Sequence, residues 1–419
     1  MSRSVSFSLI LAVAASLMAA LHGYVWLRLV HDVALPSGPH ALLTAALVLL
    51  YLSLPFGFWF GRARAQRRTR PLLFFAFGWL GVLFFLLVLL GAADVARFLA
   101  ELAAHRLFGL PESSAEMRLL WSRGSAGSVL LAALVMTLLA VRSGLGQVRV
   151  RDVRVELTRL PSALDGFVIV QLSDVHVGPT IGKAFIEHLV ERCNALEPDA
   201  VVITGDLVDG SVTELGPAVA PLANLRARHG VYFVTGNHEY YSGVRAWCDE
   251  LTRLGIRVLR NERVSIGSAS VGFDLAGVDD FSARQFGRGH GADLPRALSG
   301  RDPSRELVLL AHQPRAIFEA ERLGVGLQLS GHTHGGQLWP WNYMVRLQQP
   351  VVSGLTRFGN CQLYVSNGTG YWGPPMRLGA PAEITRVVLR AASAAHELVP
   401  ESIELMGHIA APDPARAAI

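Results

Sequence analysis

Lysine is almost absent from this sequence of 419 residues. Lys183 is the only lysine, and arginine supplies the other basic residues of a chain with a net charge of +5. Such usage, rich in arginine and alanine, reflects genome base composition. After residue 154 the chain has no basic tail and no run of Lys and Arg, which a nucleic-acid-binding surface would show. The composition therefore argues against nucleic acid as a partner.

Cysteine is also scarce. The three residues Cys193, Cys248 and Cys361 are far apart and belong to no pairing motif. Domains held together by disulfides carry an even set of cysteines at regular spacings. An odd and scattered set argues against a disulfide framework and predicts three reduced thiols, buried as small apolar side chains.

Charged residues are sparse before residue 143, and nearly all of the excess hydrophobicity lies there. Four apolar stretches, at residues 7–27, 41–60, 71–90 and 125–141, predict a membrane anchor over residues 1–143. A secretory signal has a shorter apolar core, and further apolar stretches follow here, so we expect the first stretch to remain uncleaved. Because no acidic residue lies near the middle of a stretch, the sequence argues against an ion-coupled transporter.

The orientation in the membrane follows from the distribution of arginine. The densest positive cluster lies between the second and third stretches (Arg62, Arg64, Arg67, Arg68 and Arg70). By the positive-inside rule this loop faces the cytoplasm, and we expect residues 94–123 to form an amphipathic segment, or a simple loop, on the outer surface.

The position of the rest of the chain depends on the fourth stretch, which is short. If residues 125–141 span the membrane, the rest of the chain is cytoplasmic, in a multi-pass protein of the inner (plasma) membrane. If they lie in the interface, the rest is outside. Arginines that follow the stretch favour the cytoplasmic side: Arg142, Arg149, Arg151 and Arg154.

After a predicted juxtamembrane linker at residues 144–156, short apolar runs alternate with stretches of helical periodicity. This pattern predicts one domain over residues 157–392, followed by an alanine-rich tail over residues 393–419. Five of the runs are expected to be buried strands that each end in polar residues. Their bounds are 167–172, 199–204, 231–234, 306–310 and 325–329.

The residues that follow these strands are types that bind metal ions. They are Asp174, His176, Asp206, Asn237, His312, His332 and His334. Since the carboxyl ends of strands joined by helical crossovers meet at one edge of a sheet, we expect these side chains to lie together. The set is too large for one Zn²⁺ and suits two divalent ions that share a bridging carboxylate.

Each of these residues also has a structural explanation when it is taken alone. Asp174 is a possible helix cap, and Asn237 follows a glycine as turn residues often do. His176 and His312 are possible core histidines. His238 and Glu239 are possible solvent-exposed residues. Their joint occurrence at five successive strand ends favours the metal site.

In order and spacing, five motifs over residues 160–392 resemble the signature of the calcineurin-like metallophosphoesterases. The motifs are Asp174-x-His176, Gly205-Asp206, Gly236-Asn237-His238-Glu239, His312 and Gly331-His332-x-His334. The run Gly-His-Thr-His-Gly-Gly-Gln at residues 331–337, the aromatic loop after it and residues 363–368 resemble the membrane-linked bacterial branch (YkuE/YaeI-like). The resemblance implies an α/β fold, an αββα sandwich in which two mixed β-sheets are flanked by helices.

The resemblance also implies roles for these residues. One metal ion would be held by Asp174, His176, Asp206 and His334, and the other by Asp206, Asn237, His312 and His332. With Asp206 as the bridge, a water shared by the two cations is implied as the nucleophile at phosphorus. His238 is implied as the residue that contacts the phosphate and protonates the leaving oxygen. Asp209 either orients one of these side chains or is an ordinary turn residue.

Residues 338–358 form an insertion with several aromatic residues after the histidine pair. One interpretation is a packed loop that shields the metal site. The other is an amphipathic lid that binds a lipid-linked phosphate near the bilayer, since the predicted linker is short. Residues that border the motifs are candidates for substrate binding: Tyr240, Asn261, Arg315, Trp339, Arg346 and Asn367.

The sequence therefore predicts a membrane-anchored, binuclear metal-dependent phosphoesterase that hydrolyses a phosphomonoester, phosphodiester or pyrophosphate bond. An alternative within the class is a lipid or nucleotide-sugar-lipid pyrophosphohydrolase of envelope synthesis. An alternative of another class is a non-catalytic membrane scaffold, against which the complete ligand set and His238 argue. Oxygen and imidazole ligands accept Mn²⁺, Fe, Zn²⁺ and similar ions, so the identity of the metals is not predicted.

Overall fold

A computed structural model describes residues 3–63, 70–111, 113–268 and 270–392. These residues form a bundle of four long helices followed by an α/β domain with two sheets. Most of the predicted arginine cluster (residues 64–69) and the predicted alanine-rich tail lie outside the described residues.

The N-terminal bundle consists of α1 (Arg3–Trp26), α2 (Ser37–Ala63), α3 (Arg70–Phe108) and α4 (Ala115–Gly144). A π-helical turn, Leu27–His31, extends α1. By length and composition, all four contain a stretch that is long and apolar enough to cross a membrane. α4, which contains the stretch on which the predicted orientation depends, has 30 residues. At 1.5 Å per residue it is about 45 Å long, which exceeds the ~30 Å of hydrocarbon in a bilayer.

The structure differs from the prediction at residues 94–123. Instead of one separate amphipathic segment or a simple loop, residues 94–108 complete α3 and residues 115–123 begin α4. One polar side chain of this segment contacts the neighbouring helix: Asp94 accepts hydrogen bonds from Tyr24 Oη at 2.6 Å and from Arg28 Nε at 3.0 Å. Because this partly buried carboxylate is paired with α1 and the turn that extends it, α3 continues past Asp94.

The α/β domain is built from short strands and helices. The strands are β1 (Arg149–Leu157), β2 (Val168–Leu172), β3 (Ala200–Thr204), β4 (Val231–Val234), β5 (Arg257–Val258), β6 (Glu262–Gly267), β7 (Gly272–Gly277), β8 (Leu307–Leu310), β9 (Leu327–Ser330), β10 (Gly354–Phe358), β11 (Cys361–Val365) and β12 (Glu383–Ala391). The helices are α5 (Lys183–Asn194), α6 (Val212–Val219), α7 (Asn237–Ser242), α8 (Val244–Arg253), α9 (Leu294–Ala297), α10 (Ile317–Arg322) and α11 (Asn342–Val345).

The strands form two mixed sheets of six strands each. The first has the order β1-β12-β2-β3-β4-β5 and the second the order β10-β11-β9-β8-β7-β6. Strands β2 to β5 run parallel in the first sheet, and β7, β8, β9 and β11 run parallel in the second. The carboxyl ends of these parallel strands therefore meet at one edge of each sheet, which is where ligands bind in such folds.

Three apolar layers hold the sheets and helices together. Side chains such as Ile169, Leu275 and Tyr364 fill the space between the two sheets. The outer face of the first sheet packs against α5, α6 and α8, and the outer face of the second packs against α9 and α10. The layers follow the order helix, sheet, sheet, helix, which confirms the predicted αββα sandwich.

The predicted linker at residues 144–156 contains a strand. α4 ends at Gly144, and β1 pairs in parallel with β12 from Arg149 onward. In this edge strand Val153, Val155 and Leu157 are buried and the intervening residues are exposed. The exposed arginines between the buried apolar residues explain why the stretch resembles a linker in composition. The actual connection between the helix and the sheet consists of residues 145–148.

The α/β domain packs directly on the helix bundle through the segment that precedes β12. The backbone N–H of Arg377 donates to the carbonyl of Ala140 in α4 at 2.9 Å. Met376 belongs to one apolar cluster with residues of α3 and α4. Gly81 and Gly144 provide the room for it, since a Cβ on Gly144 would lie 2.8 Å from the Met376 backbone. These contacts hold the domain in a defined position on the helices.

Candidate metal centre

The five segments that follow β2, β3, β4, β8 and β9 carry the predicted ligands and meet at one place. Several of these ligands have a left-handed backbone, with φ between 50° and 71°: Asp174, His176, Asp206, His332 and His334. Such a conformation costs a residue other than glycine about 1–3 kcal/mol, and it is retained mainly at functional sites. The backbone itself therefore marks this edge of the sheets as a site.

Asp174, His176 and His334 form one group that is able to hold a cation, with their ligand atoms within 4.8 Å of one another. His334 Nε2 lies 3.1 Å from His176 Nε2 and 3.4 Å from Asp174 Oδ1. Two imidazole nitrogens and a carboxylate at these distances are a donor set that suits a divalent transition-metal ion.

Asp206, His312 and His332 form a second such group. His312 Nε2 lies 3.2 Å from Asp206 Oδ2 and 3.2 Å from His332 Nδ1. Asp206 Oδ2 also lies 4.0 Å from His176 Nε2, which belongs to the first group. One carboxylate oxygen is therefore near both groups, as a bridging ligand must be.

The side-chain oxygen of Asn237 indicates whether this site suits a cation. Its Oδ1 is buried and has no hydrogen-bond partner among the described residues. A buried acceptor without a donor costs about 1–3 kcal/mol, and a bound cation would remove that cost. Asn237 begins α7 directly after Gly236. Gly236 packs closely against Gly205, because a Cβ on Gly205 would lie only 2.6 Å from the Gly236 backbone nitrogen. The unpaired oxygen and the two His/Asp groups together fit a metal site.

Hydrogen bonds behind the imidazole rings orient their nitrogens. His312 Nδ1 lies 2.8 Å from the Thr204 carbonyl oxygen, so Nδ1 donates and Nε2 keeps its lone pair for the site. Asp209 Oδ1 accepts in the same way from His176 Nδ1 at 2.9 Å and from His238 Nδ1 at 2.7 Å. Of the two explanations for Asp209, the structure favours the orienting role, because one carboxylate holds a candidate ligand and His238 together.

Burial and neighbouring charges shift the pKa values of two histidines at the centre in opposite directions. Burial alone would lower the pKa of His238, but the carboxylates of Asp206 and Asp209 outweigh it and raise the pKa to about 9. For His332, burial and then the nearby His312 lower the pKa to about 3. The raised pKa of His238 favours the protonated imidazole, which is the form that donates a proton.

Comparison with known proteins agrees with this geometry. Residues 167–336 match the family model described as calcineurin-like phosphoesterase. A transmembrane protein with metallophosphoesterase domain from Bos taurus is 42% identical over 74% of this chain and 71% of that protein. The protein of the same name from Danio rerio is 37% identical over 88% of this chain and 86% of that protein.

The chain belongs to the calcineurin-like metallophosphoesterases. A further relative, the uncharacterized metallophosphoesterase YkuE from Bacillus subtilis (strain 168), is 31% identical over 55% of this chain and 82% of that protein. The chain is thus a hydrolase of phosphoester bonds, with groups of His and Asp that are able to bind metal ions. Its apolar helices and its similarity to transmembrane proteins indicate a membrane protein.

Glu239 of the phosphoesterase is fully buried, and sequence reasoning missed its role. Its carboxylate accepts hydrogen bonds from the backbone N–H groups of Gly236 at 2.6 Å, Leu207 at 2.8 Å and Asp206 at 3.0 Å. One buried side chain therefore ties the loop after β3 to the loop after β4. The bond from the Gly236 N–H to a glutamate three residues later is one half of a capping box, the half that needs no side chain at the N-cap.

Arg377 is a second residue that sequence reasoning missed. Its buried guanidinium donates to the carbonyl oxygens of Gly370 at 2.8 Å, Ala380 at 2.9 Å and His334 at 3.3 Å. Burial lowers the pKa of Arg377 to about 10. Because the backbone of the same residue bonds to Ala140 in α4, Arg377 connects a candidate ligand to the helix bundle. No motif in the sequence points to this position.

Gly331 allows the loops after β2 and β9 to approach each other. A Cβ on Gly331 would collide with the Ser173 hydroxyl and with the Asp174 carboxylate. The backbone N–H of His332, the next residue, donates to Asp174 Oδ1 at 2.9 Å. The position before the histidine pair therefore has no room for a side chain and requires glycine.

Three of the predicted substrate-binding residues are engaged inside the fold. The side chain of Asn261 bonds to three backbone groups at 2.9 Å to 3.2 Å. Tyr240 is buried, and its ring stacks on Phe286. Asn367 is also buried and donates to Glu383 at 3.2 Å. Substrate binding by these three residues stays a prediction.

The other three lie on the surface near the site. Arg315 donates to the carbonyl oxygen of Gln348 at 3.4 Å. Trp339 and Arg346 line a cleft of about 510 Å³ that begins at Gly335, beside the histidine pair. None of the seven predicted ligands lines this cleft, so it adjoins the metal centre and does not contain it.

Proposed function

We propose that the phosphoesterase binds two divalent cations and hydrolyses a phosphomonoester, phosphodiester or pyrophosphate bond. One cation would be held by Asp174, His176, Asp206 and His334, and the other by Asp206, Asn237, His312 and His332. The two donor groups and the unpaired Oδ1 of Asn237 support this assignment. When bound, two cations supply a water of lowered pKa as the nucleophile and neutralise charge on the phosphate.

The observation that carries this proposal is the position of the Asp206 carboxylate. Its Oδ2 lies 3.2 Å from His312 Nε2 and 4.0 Å from the Nε2 atoms of both His176 and His238. A carboxylate shared by two donor groups keeps two cations close together, which a site for one cation does not require. His238 approaches this carboxylate without being assigned to either cation.

We assign to His238 the transfer of a proton to the leaving oxygen. Asp209 holds its Nδ1, and its Nε2 lies on the side of Asp206, where a bound phosphate would be. The side chain is 17% exposed, so a substrate has access to it. A general acid in such a position typically contributes a factor of about 10²–10⁴ to the rate.

The test uses the full-length protein in detergent, reconstituted with Mn²⁺ and assayed with bis(p-nitrophenyl) phosphate, p-nitrophenyl phosphate and a nucleotide pyrophosphate. His238→Gln is expected to lower kcat by about 10²–10⁴ while it retains the metal. Asp206→Ala is expected to lose activity and at least one of the two ions. His188→Gln, in an exposed histidine of α5, is the matched control. A wild-type protein that is inert with every substrate, with unchanged metal content in Asp206→Ala, would favour the non-catalytic scaffold and refute the proposal.

We propose further that all four long helices cross the inner (plasma) membrane and that the catalytic domain is cytoplasmic. An even number of spans puts both ends of the chain on one side. The arginines before α3 and after α4 favour the cytoplasm for that side. Fusions at the C-terminus test this: green fluorescent protein should fluoresce and periplasmic alkaline phosphatase should be inactive. An active alkaline phosphatase fusion without green fluorescence would contradict it.

A further inference from the structure

Large apolar side chains are exposed on chain segments that lead away from the metal centre. The apolar rim is defined by six of them, with exposed fractions of 48% to 78%: Tyr241, Trp339, Trp341, Tyr343, Leu347 and Trp372. Soluble proteins expose such side chains singly, and a larger set marks a surface that meets a partner or a membrane. The rim therefore calls for an apolar occupant near the site.

Trp372 connects the rim to the proposed acid and to the helices. Its ring centroid lies 5.8 Å from that of His238, and the ring of Tyr241 lies 5.3 Å from the same imidazole. The backbone of Trp372 exchanges two hydrogen bonds with the side-chain amide of Gln337, at 2.9 Å and 3.0 Å. Four residues later, Met376 packs in the apolar cluster of α3 and α4. This part of the rim thus continues from the metal centre to the bundle.

The loop after the histidine pair carries the rest of the rim along a second path. At its start, Leu338 belongs to the apolar cluster of α3 and α4. The ring of Trp341 meets that of Phe84 in α3 edge-on, at 6.2 Å between centroids. At its end, the Gln348 carbonyl accepts the hydrogen bond from Arg315, which lies three residues after a candidate ligand. The loop therefore extends from the bundle to the metal centre.

The contacts with α3 lie inside the apolar part of that helix. Phe84 is about 21 Å along the helix from Arg70, at 1.5 Å per residue. Residues 71–93, which include Phe84, contain no charged residue. If α3 spans the bilayer, Phe84 lies within the ~30 Å of hydrocarbon, so the loop contacts a part of the helix that membrane lipids surround.

We infer that the phosphoesterase acts on a phosphate carried by a membrane lipid, with the apolar rim in contact with the apolar part of that lipid. The inference rests on the proposed function, because the phosphate must reach the two donor groups. Arg315 and Arg346 lie on the loop side of the site, and guanidinium groups bind phosphate oxygens well. The rim is continuous with the helix bundle, so a lipid in the bilayer could reach the site without entering water.

The test compares two competitors of bis(p-nitrophenyl) phosphate hydrolysis by the full-length protein in phosphatidylcholine nanodiscs with Mn²⁺. Dioleoyl phosphatidate carries its phosphate on a lipid, and sn-glycerol 3-phosphate carries the same phosphate in water. The rim variant is the double substitution Tyr343→Ser and Leu347→Ser. The control is Phe318→Ser, in a side chain of α10 that is 55% exposed and lies outside the rim.

We expect the rim variant to weaken inhibition by phosphatidate at least about fivefold, since it loses apolar contact area. Inhibition by glycerol 3-phosphate should change less than about twofold, and Phe318→Ser should behave as the wild type does for both competitors. Equal changes for the two competitors would overturn the inference and leave the proposed function intact. Absence of hydrolysis in the wild type would overturn both. If the wild type is a dimer, the rim variant is a monomer and inhibition is unchanged, the rim is a contact with a second copy of the chain. That result would also overturn the inference.

Discussion

Replacing Glu239 with alanine removes the carboxylate that joins the loops after β3 and β4. This carboxylate is fully buried and accepts hydrogen bonds from the backbone N–H groups of Asp206, Leu207 and Gly236. In the alanine variant these three donors would lose that partner in a place with little access to water. We therefore expect the variant to be less stable and to hold the metal centre in a looser geometry.

The expected magnitude follows from the number of bonds. A buried N–H without a partner costs about 1–3 kcal/mol, so three such groups cost at least about 3 kcal/mol. Part of this cost is offset, because the wild type itself loses stability by burying a carboxylate. Burial and repulsion from Asp206 raise the pKa of Glu239 to about 7, which shows that its charged form is disfavoured. A net loss of ~2–4 kcal/mol lowers the Tm of a domain of this size by roughly 4–16 °C.

Thermal unfolding of the full-length protein in detergent with EDTA measures this loss without a contribution from bound metal. Glu239→Gln should fall between the wild type and Glu239→Ala, because the amide keeps one acceptor oxygen. The matched control is Glu214→Ala, since Glu214 is exposed and caps α6 by bonding to Ser211; it should cost at most ~1 kcal/mol. If Glu239→Ala costs no more than Glu214→Ala, the reasoning about the buried carboxylate is wrong.

Asp209→Asn is expected to weaken Mn²⁺ binding about 10- to 100-fold and to lower kcat as well, because the amide cannot accept from His176 and His238 as a carboxylate does. Metal titration combined with rates at saturating Mn²⁺ separates the two effects, and an unchanged metal affinity would contradict the orienting role. The thiols of Cys193 and Cys361 should not react with Ellman's reagent at pH 8 in the folded protein, since burial raises the pKa of each to about 12. Full reactivity is expected after denaturation, and rapid reaction in the native state would show that these thiols are accessible.

The strands that lead to the metal centre were predictable because buried parallel strands appear in a sequence as local apolar runs. The predicted run 231–234 coincides with β4, and the predicted run 167–172 begins one residue before β2. Strand ends that gather at one edge of a sheet then bring the polar residues after them together, although these residues are far apart in the chain. Local pattern and one topological rule were sufficient here.

Features that depend on distant partners were not predictable in this way. The exposed arginines of β1 give it the composition of a linker. Its pairing with β12, which is distant in the sequence, shows that it is a strand. The apolar run in α3 stops near residue 90, and from the sequence the charge of Asp94 predicts the end of the span. The hydrogen bond from Arg28 that pairs this charge joins residues 66 positions apart, so the sequence does not reveal it. Arg377 was missed for the same reason: its partners are carbonyl oxygens, which have no signature in the sequence.

The contacts of Arg377 also join the membrane part and the catalytic part of the molecule. Its backbone bonds to α4 while its side chain bonds to the carbonyl of His334. Together with the short connection at residues 145–148 and the ring contact of Trp341 with Phe84, these bonds hold the domain on the bundle. A metal centre held at a defined distance from the helices is consistent with an enzyme that acts at the membrane surface.

Metal stoichiometry tests the proposal of a binuclear centre bridged by Asp206 most directly. The full-length protein is dialysed to equilibrium against Mn²⁺, and the bound ions per chain are counted by elemental analysis. We predict two ions per chain in the wild type and in His188→Gln, and at most one in Asp206→Ala, because loss of the bridge leaves both groups incomplete. A single ion in the wild type, or two ions in Asp206→Ala, would contradict the bridged two-metal centre.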